Sequence, residues 1–135
     1  MGIHAYVKGK HMKKIYKAHV NESTNAFQTV KEHSEHTALL CREFSIPVLQ
    51  DLMYTIGILH DCGKYQESFQ KRIDGFNIRV EHSTCGAIVA KKMYPNVMGL
   101  LMEYCIVGHH SGIPNGGCLN DTSIDTTLWG RLQRD

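Results

Sequence analysis

LQDLMYTIGILHDCGK, residues 49–64, is the stretch of sequence that decides the fold. Its apolar residues recur every three or four positions, which predicts a helix with one face turned to a core. The members of this stripe are Leu49, Leu52, Met53, Ile56, Leu59 and His60. Gly63 is expected to stop the helix just after Asp61 and Cys62. The pattern therefore predicts that His60 and Asp61 are carried toward the protein interior.

The length and composition indicate one globular domain. The chain has 135 residues, of which 42% are hydrophobic and 21% charged, which excludes disordered, collagen-like and low-complexity chains. The longest apolar stretch, residues 97–108, is interrupted by Glu103 and is too short to span a bilayer. The five cysteines form no CxxC pair, so we expect reduced thiols and a cytoplasmic protein without membrane contact.

The charge is unevenly distributed along the chain. The net charge is +2, yet residues 1–21 contain five lysines and no acidic residue. A basic arm can contact nucleic acid, whereas a short terminus is more often a solvated tail. We expect residues 1–11 to be a vector-derived or flexible extension and residues 12–135 to form the domain.

Apolar residues at helical spacing predict further helices on both sides of residues 49–64. The preceding one, capped by Asn25 or Ser23 and ended by Pro47, has a face made of Val30, His33, Thr37, Leu40, Cys41 and Phe44. Later helices are expected at residues 65–73, from about residue 82 to Pro95, and at residues 98–109. Residues 111–127 read as a loop, and residues 77–80 as a short edge strand at most. The predicted fold class is an all-α globule.

Histidines occupy the apolar stripes of four predicted helices. These residues are His33, His60, His82 and His109. One such histidine is more often an ordinary core residue than a ligand. Four imidazoles buried near one another are costly unless something binds them, so the pattern predicts a metal site in the helix core.

Two adjacent pairs strengthen this prediction. Neighbouring residues of a helix point about 100° apart, so His60 can bind one ion while the Asp61 carboxylate bridges to a second. Ions in two-metal hydrolytic sites lie about 3.5–4 Å apart, a gap that one carboxylate spans. The His109–His110 pair can meet one ion if the helix loosens beside Gly108. Each dipeptide is a weak signal alone, but the ordered set H, HD, H, HH is specific.

The motifs that surround these histidines are segments 16–20 (YKAHV), 32–33 (EH), 60–64 (HDCGK) with Phe69, 81–83 (EHS) and 109–114 (HHSGIP). In this order they resemble the HD superfamily of metal-dependent phosphohydrolases. More narrowly, they resemble the HD nuclease module of the CRISPR-associated nuclease-helicase of type I interference systems. The resemblance covers residues 16 to about 114 and implies the HD-domain helical fold.

The resemblance implies a ligand set for two ions. The first would be held by His33, His60 and Asp61, and the second by Asp61, His82, His109 and His110. The expected catalytic residues are Asp61 and Lys64, with Lys64 steadying phosphate charge. Lys64 is equally well explained as a cation at a helix C-terminus. His19 matches a recurrent histidine whose role stays open.

The donor set favours a divalent transition metal. Five imidazoles against one or two carboxylates suit one or two ions of Mn, Fe, Co or Ni, and magnesium less, because magnesium prefers oxygen ligands. The expected reaction is two-metal phosphodiester hydrolysis, in which the ions activate a water nucleophile and offset phosphate charge.

One departure from the family concerns its first metal. The family completes that site with an aspartate in a later S-x-L-x-x-x-D segment, and no such segment occurs before Asp135. Asp121 and Asp125 do not match it. We therefore expect a domain truncated at its C-terminal end, an empty or weak first site, and low or absent activity of this chain alone.

The leading functional hypothesis is a nuclease that cleaves single-stranded DNA in CRISPR antiviral defence. Its expected partners are the DNA, a helicase domain or subunit, and the CRISPR surveillance complex. The alternatives are an HD phosphohydrolase acting on a nucleotide or cyclic nucleotide, and a non-catalytic metal-binding docking module. The HHSGIP segment favours the nuclease.

Overall fold

The structure, a computed structural model, describes residues 14–134. The helices are α1 (Val30–Glu43), α2 (Gln50–Leu59), α3 (Glu67–Ile73), α4 (Ser83–Met93), α5 (Val97–Gly108) and α6 (Leu128–Arg131). Short 3-10 helices cover Pro47–Leu49 and Cys62–Tyr65, and two strands form β1 (Lys17–Val20) and β2 (Phe27–Thr29). The predicted all-α class is confirmed, with a histidine and aspartate cluster at the helix core. The extension expected at residues 1–11 lies outside the described residues.

The hydrophobic core lies where α2, α4 and α5 meet. Its buried members are Ile56, Ala87, Ala90, Met102, Ile106, Val107 and Leu128. Small residues allow close packing here, since a Cβ on Gly86 would lie 2.0 Å from the Leu59 carbonyl oxygen. The ends of three helices are thereby brought to one face of the molecule. Within residues 14–134, no helix combines the length and the apolar character that a membrane span requires.

Helix α1 packs on α2 through a face that includes the predicted Val30, His33, Thr37 and Cys41 but leaves out the predicted Leu40 and Phe44. Its buried residues are Val30, Ser34 and Ala38, whereas Leu40 and Phe44 are 52% and 84% exposed. The reason is close contact with α2, where a Cβ on Gly57 would lie 2.4 Å from the Ala38 Cα. Only small side chains fit between the two helices, so the larger apolar residues stay outside.

The start of α1 also differs from the prediction. Its N-cap is Thr29, not Asn25 or Ser23, and it forms a capping box with Glu32. The Thr29 side chain accepts a hydrogen bond from the Glu32 N–H, and the Glu32 carboxylate accepts one from the Thr29 N–H. This reciprocal pair satisfies two backbone donors and fixes the direction in which α1 leaves β2.

The hairpin of β1 and β2 was not predicted. The strands are antiparallel, and β1 is tied to α3 by Gln70. The Gln70 amide donates to the Lys17 carbonyl and accepts from the Lys17 N–H, both at 2.9 Å. This anchor matters for the site because β1 carries His19.

The rest of the chain follows the prediction with two differences, which are the early end of α2 and the unpredicted helix α6. Helix α2 ends at Leu59, earlier than expected, and a 3-10 turn follows. Residues 77–80 form no regular strand, and α6 follows the loop at residues 111–127, which was predicted. Gly63 lies inside the 3-10 helix, so its role is not to end α2.

Candidate metal centre

The Asp61 carboxylate lies at the centre of the cluster and is 2% exposed. Its Oδ2 atom faces His33 on α1 and His60 at the end of α2. The His33 and His60 Nε2 atoms lie 2.9 and 3.2 Å from Oδ2, and 3.1 Å from each other. We call this group, made of His33, His60 and Asp61, the Oδ2 site.

The Asp61 Oδ1 atom faces a second group of histidines. The Nε2 atoms of His82 and His109 each lie 3.3 Å from Oδ1. The His110 Nε2 atom lies 2.8 Å from that of His82. One donor atom from each of the four residues falls within 4.8 Å of the others. We call this group, made of Asp61, His82, His109 and His110, the Oδ1 site.

All six residues predicted to bind metal are thus brought together, although three of the histidines occupy helix ends rather than stripes. His60 is the C-cap of α2, His82 the N-cap of α4 and His109 the C-cap of α5. At Asp61 the backbone leaves the helical conformation, with φ −116° and ψ 18°. This bend lets two adjacent residues point into one cluster.

Hydrogen bonds hold two of the rings with Nε2 directed inward. The Nδ1 atoms of His60 and His109 lie 2.7 and 2.6 Å from the carbonyl oxygens of Gly57 and Ile106. A carbonyl only accepts, so each Nδ1 carries the proton and each Nε2 presents a lone pair to the cluster. This is the arrangement by which proteins orient metal-binding histidines.

The residues present fit a bound divalent ion. The buried Asp61 Oδ1 makes no hydrogen bond of good geometry, despite the two imidazoles 3.3 Å away. Two neutral imidazoles whose Nε2 atoms lie about 3 Å apart repel each other when both direct lone pairs into the gap. A cation bound between the two nitrogen atoms removes this repulsion. The imidazole-rich donor set suits a transition ion.

The electrostatics of the cluster centre on Asp61. Burial alone would raise the pKa of Asp61, but the four side chains that face its carboxylate outweigh burial and hold that pKa far below the ordinary range. These side chains are His109, His60, His82 and Lys64. Asp61 is therefore a carboxylate, the form that binds a cation.

The pKa values of the histidines shift in two directions from their ordinary value. Burial would lower the pKa of His109, but its contact with Asp61 and its bond to the Ile106 carbonyl raise it overall. Burial, followed by nearby positive charge, lowers the pKa values of His33 and His110. Low pKa values favour neutral imidazole, which is the form that binds metal.

Lys64 is 3% exposed and completes the charge balance of Asp61. Its ammonium lies 2.9 Å from Asp61 Oδ2, 3.4 Å from the Ala18 carbonyl and 3.2 Å from His19 Nε2. The His19 ring centroid lies 4.7 Å from that of His33, and donor atoms of His19, His33 and Asp61 fall within 4.8 Å of one another. His19, whose role the sequence leaves open, therefore borders the Oδ2 site.

Gly63 sets the distance between the Asp61 turn and α4. A Cβ at this position would lie 2.1 Å from the His82 carbonyl oxygen. Any side chain would push the backbone of His82 away from Asp61. The glycine of the HDCGK segment is thus explained by close approach of two backbone segments.

Arg131 on α6 connects the two segments that carry the Oδ1 histidines. Its guanidinium is 11% exposed and lies 2.8 Å from Ser83 Oγ, 3.4 Å from Glu81 Oε1 and 3.3 Å from Ser111 Oγ. Glu81 and Ser83 flank His82, and Ser111 follows His110. Sequence reasoning missed this residue because its partners are 20 to 50 positions away and no local pattern marks it.

An open cavity of about 460 Å³ borders the cluster. Its polar and aromatic lining residues include His19, Lys64, Phe69, Arg72, His82 and His110. A phosphate group entering it would meet imidazoles and two cationic side chains, with one carboxylate, that of Glu22, also on the lining. Phe69 packs edge-on against His82, with ring centroids 5.1 Å apart.

The two later aspartates do not join the cluster. Asp121 accepts hydrogen bonds from Cys118 and Thr127, and Asp125 accepts them from Thr122. Both carboxylates are used within their own loop. Within residues 14–134, Asp61 supplies the carboxylate of the two groups able to hold a metal ion, which are the Oδ1 site and a group made of Asp61, His19 and His33.

Comparison with known proteins agrees with this geometry. The model of the HD domain family matches residues 30–129, which include every residue of the Oδ1 and Oδ2 sites. No curated protein and no solved structure gave a significant match. HD domains are generally metal-dependent hydrolases that bind divalent ions. With most of its length matched and a histidine and aspartate cluster at its helix core, the chain belongs to the HD domain family.

Proposed function

We propose that this HD domain is a metal-dependent nuclease that cleaves single-stranded DNA. The observation that carries the proposal is the division of the Asp61 carboxylate between two histidine groups. Oδ2 faces His33 and His60, and Oδ1 faces His82 and His109. In the proposal the Oδ2 site holds one ion and the Oδ1 site, which includes His110, holds the other.

The ions are proposed to be Mn, Fe, Co or Ni, and they supply activation of water and neutralisation of phosphate charge. The chain's own residues do the positioning. The Gly57 and Ile106 carbonyls fix the rings of His60 and His109. Lys64 holds the Asp61 carboxylate in place and, because it lines the cavity beside the cluster, it is proposed to attract the scissile phosphate as well.

Two features favour DNA over a free nucleotide. His109 and His110 lie on an exposed stretch, so the cluster is open to a long substrate, whereas small-molecule sites bury most of their ligand. The HHSGIP segment at residues 109–114 resembles the nuclease group rather than nucleotide-cleaving relatives. We expect the DNA to be held by its backbone, without reading of base sequence.

The biological setting is proposed from the same resemblance. The proposed setting is CRISPR interference, with a helicase domain or subunit and a surveillance complex as the proposed partners. All five cysteines are free, which fits the reducing cytoplasm.

The test is cleavage by the purified chain and by a longer chain extended past Asp135, in which we expect the higher activity. A labelled single-stranded oligonucleotide is incubated with Mn, Fe, Co, Ni or Mg ions, beside duplex DNA, RNA, nucleoside monophosphates and cyclic dinucleotides. We expect cleavage of single-stranded DNA with a transition ion, loss of activity with EDTA, and loss in Asp61→Asn. The matched control is Asp51→Asn, an exposed carboxylate on α2 that pairs with Arg42.

Hydrolysis restricted to a mononucleotide or cyclic nucleotide would support the alternative phosphohydrolase. Tight metal binding without turnover of any phosphate ester, also in a longer chain extended past Asp135, would support the docking module. Either result refutes the nuclease.

A further inference from the structure

We propose that a second cavity, lined by Arg131 and Arg134, binds a backbone phosphate of the nucleotide next to the scissile one. This inference rests on the proposed function and deepens it, because it identifies a polynucleotide rather than a single nucleotide as the substrate. The cavity has a volume of about 510 Å³. It is separate from the cavity beside Lys64, with which it shares no lining residue.

The lining of this cavity is rich in hydrogen-bond donors. It includes the hydroxyl groups of Ser111 and Thr126 together with the two arginines, and no acidic residue among residues 14–134 lines it. Guanidinium groups present several N–H donors in a plane that matches phosphate oxygens. The chemistry of the lining therefore selects an anion with several oxygens.

The cavity begins one residue from the metal ligands. Ser111 follows His110, and neighbouring Cα atoms are about 3.8 Å apart. On its other side, Arg131 contacts Ser83 at 2.8 Å, and Ser83 follows His82. Two of the three histidines of the Oδ1 site, His82 and His110, are thus followed in the chain by residues that line or contact this basic cavity. A chain of phosphates leaving the cluster meets it next.

The two arginines differ in how far their charge is already balanced. Arg131 pairs with Glu81 at 3.4 Å. The Arg134 guanidinium is held by two backbone carbonyls, those of Ser123 and Asp125, each at 2.9 Å. The ion pairs of residues 14–134 do not include Arg134. Its positive charge is therefore oriented by neutral partners and is available to a phosphate.

The decisive variant is Arg134→Gln, because Arg131 also supports His82 and its loss would disturb the metal centre. Thr126→Glu places a negative charge in the same cavity and tests the idea independently. Arg42→Gln is the matched control, since Arg42 is an exposed arginine on α1 that lines neither cavity. All variants are made in the full chain.

The first measurement is binding without metal. A fluorescein-labelled oligothymidylate of about 15 nucleotides, a length typical of single-strand sites, is titrated in EDTA at several KCl concentrations. Each phosphate contact to a single strand contributes about 0.7 to the slope of log Kd against log salt. We expect Arg134→Gln to reduce the slope by about that amount and to weaken binding about threefold to tenfold. Thr126→Glu should weaken binding as well, and Arg42→Gln should match the wild type.

The second measurement compares two substrates with the transition ion present. Bis(p-nitrophenyl) phosphate is a phosphodiester with no neighbouring phosphate, whereas the oligothymidylate has one at every nucleotide. We expect Arg134→Gln to lower kcat/KM several times more for the oligonucleotide than for the small diester, with KM changing more than kcat.

The outcomes separate this inference from the proposed function. If Arg134→Gln behaves like Arg42→Gln in both measurements, the subsite is refuted while the nuclease stands. Equal losses on both substrates would show that Arg134 acts on the fold, which also refutes the subsite. If no phosphodiester is hydrolysed, the nuclease fails, and the binding measurement in EDTA still decides the subsite. Absence of oligonucleotide binding by the wild type refutes it.

Discussion

Asp61 shows how one side chain can organise two sites. Its two oxygen atoms face different histidines, and the Lys64 ammonium balances its charge. The nitrogen atoms of these side chains lie 2.9 to 3.3 Å from the carboxylate oxygens. The adjacency of His60 and Asp61 in the sequence was enough to predict a bridging carboxylate. Which oxygen faces which histidine could not be predicted, because it depends on the backbone bend at Asp61 and on helices far away in the chain.

The first prediction is that Asp61→Asn removes metal binding from both sites. An amide oxygen is uncharged and its NH₂ group repels a cation, so affinity should fall at least about 100-fold at each site. Isothermal titration with Mn ions gives both the affinity and the stoichiometry. The amide retains hydrogen bonding, so a folded protein is expected by circular dichroism.

The control for this prediction is Asp51→Asn, which should bind metal like the wild type. Retention of one full-affinity site in Asp61→Asn would show that Asp61 does not bridge. In that case the two histidine groups act independently.

At the scale of the elements, the site is built from helix ends. The C-termini of α2 and α5 bring His60 and His109 to the cluster, and a helix C-terminus carries partial negative charge that favours a nearby cation. The apolar stripes identify the histidines that the structure brings together, because the stripes of α2, α4 and α5 each lead to a helix end that carries one. It could not place them at caps, since apolar spacing does not mark the last hydrogen-bonded turn.

The second prediction concerns Gly63. In Gly63→Ala the new methyl group collides with the His82 carbonyl, which lies 2.1 Å from the Cβ position. We expect destabilisation of about 1–3 kcal/mol. We also expect about tenfold weaker metal binding at the Oδ1 site, because His82 moves away from Asp61.

Gly99→Ala is the matched comparison, since its Cβ would lie 1.7 Å from the Tyr94 carbonyl oxygen at the start of α5, away from the cluster. Both variants should lose stability in urea denaturation, but only Gly63→Ala should lose metal affinity. Equal metal affinity in the two variants would show that Gly63 serves the fold alone.

At the scale of the molecule, the sequence predicts the helical fold class more accurately than it predicts which side chains are buried. On α1 the predicted face is right at Val30 and His33, but Leu40 and Phe44 are exposed and Ser34 is buried, because the close contact at Gly57 selects small side chains. The hairpin that carries His19 escaped prediction because its strands have only three and four residues. The Arg131 contacts depend on residues distant in the sequence, which no local pattern reveals.

The third prediction concerns the stability of the whole fold. Glu103 on α5 is 4% exposed, and burial raises the pKa of its carboxyl despite the opposing effect of Lys91. A folded pKa above the unfolded value means that ionisation costs stability. The cost is absent below about pH 4.5, the ordinary Glu value, and is complete once the pH exceeds the folded pKa.

We therefore expect Glu103→Gln to raise Tm at pH 7 by about 4 °C for each kcal/mol of relieved cost, and the gain to vanish in acid. Thermal unfolding between pH 4 and pH 8 checks this, with exposed Glu43→Gln on α1 as the control. A Tm gain that is independent of pH would show that Glu103 ionisation is not the cause.

The last prediction concerns the relative strength of the two sites. The Oδ1 site has Asp61 and three imidazoles. The Oδ2 site has Asp61 with His33 and His60, and the Nε2 atom of the neighbouring His19 lies 3.2 Å from the Lys64 ammonium. Asp121 and Asp125 are engaged in their own loop and add nothing to it. A shared carboxylate gives each ion only part of its charge, so the site with fewer ligands should bind its ion about 10–100-fold more weakly.

Titration with Mn ions should show one strong and one weak binding event, the strong one removed by His82→Ala and the weak one by His33→Ala. Anomalous scattering from crystals grown with limiting metal should then place the first ion between Asp61 and His82, and two equally strong events would show that three ligands suffice.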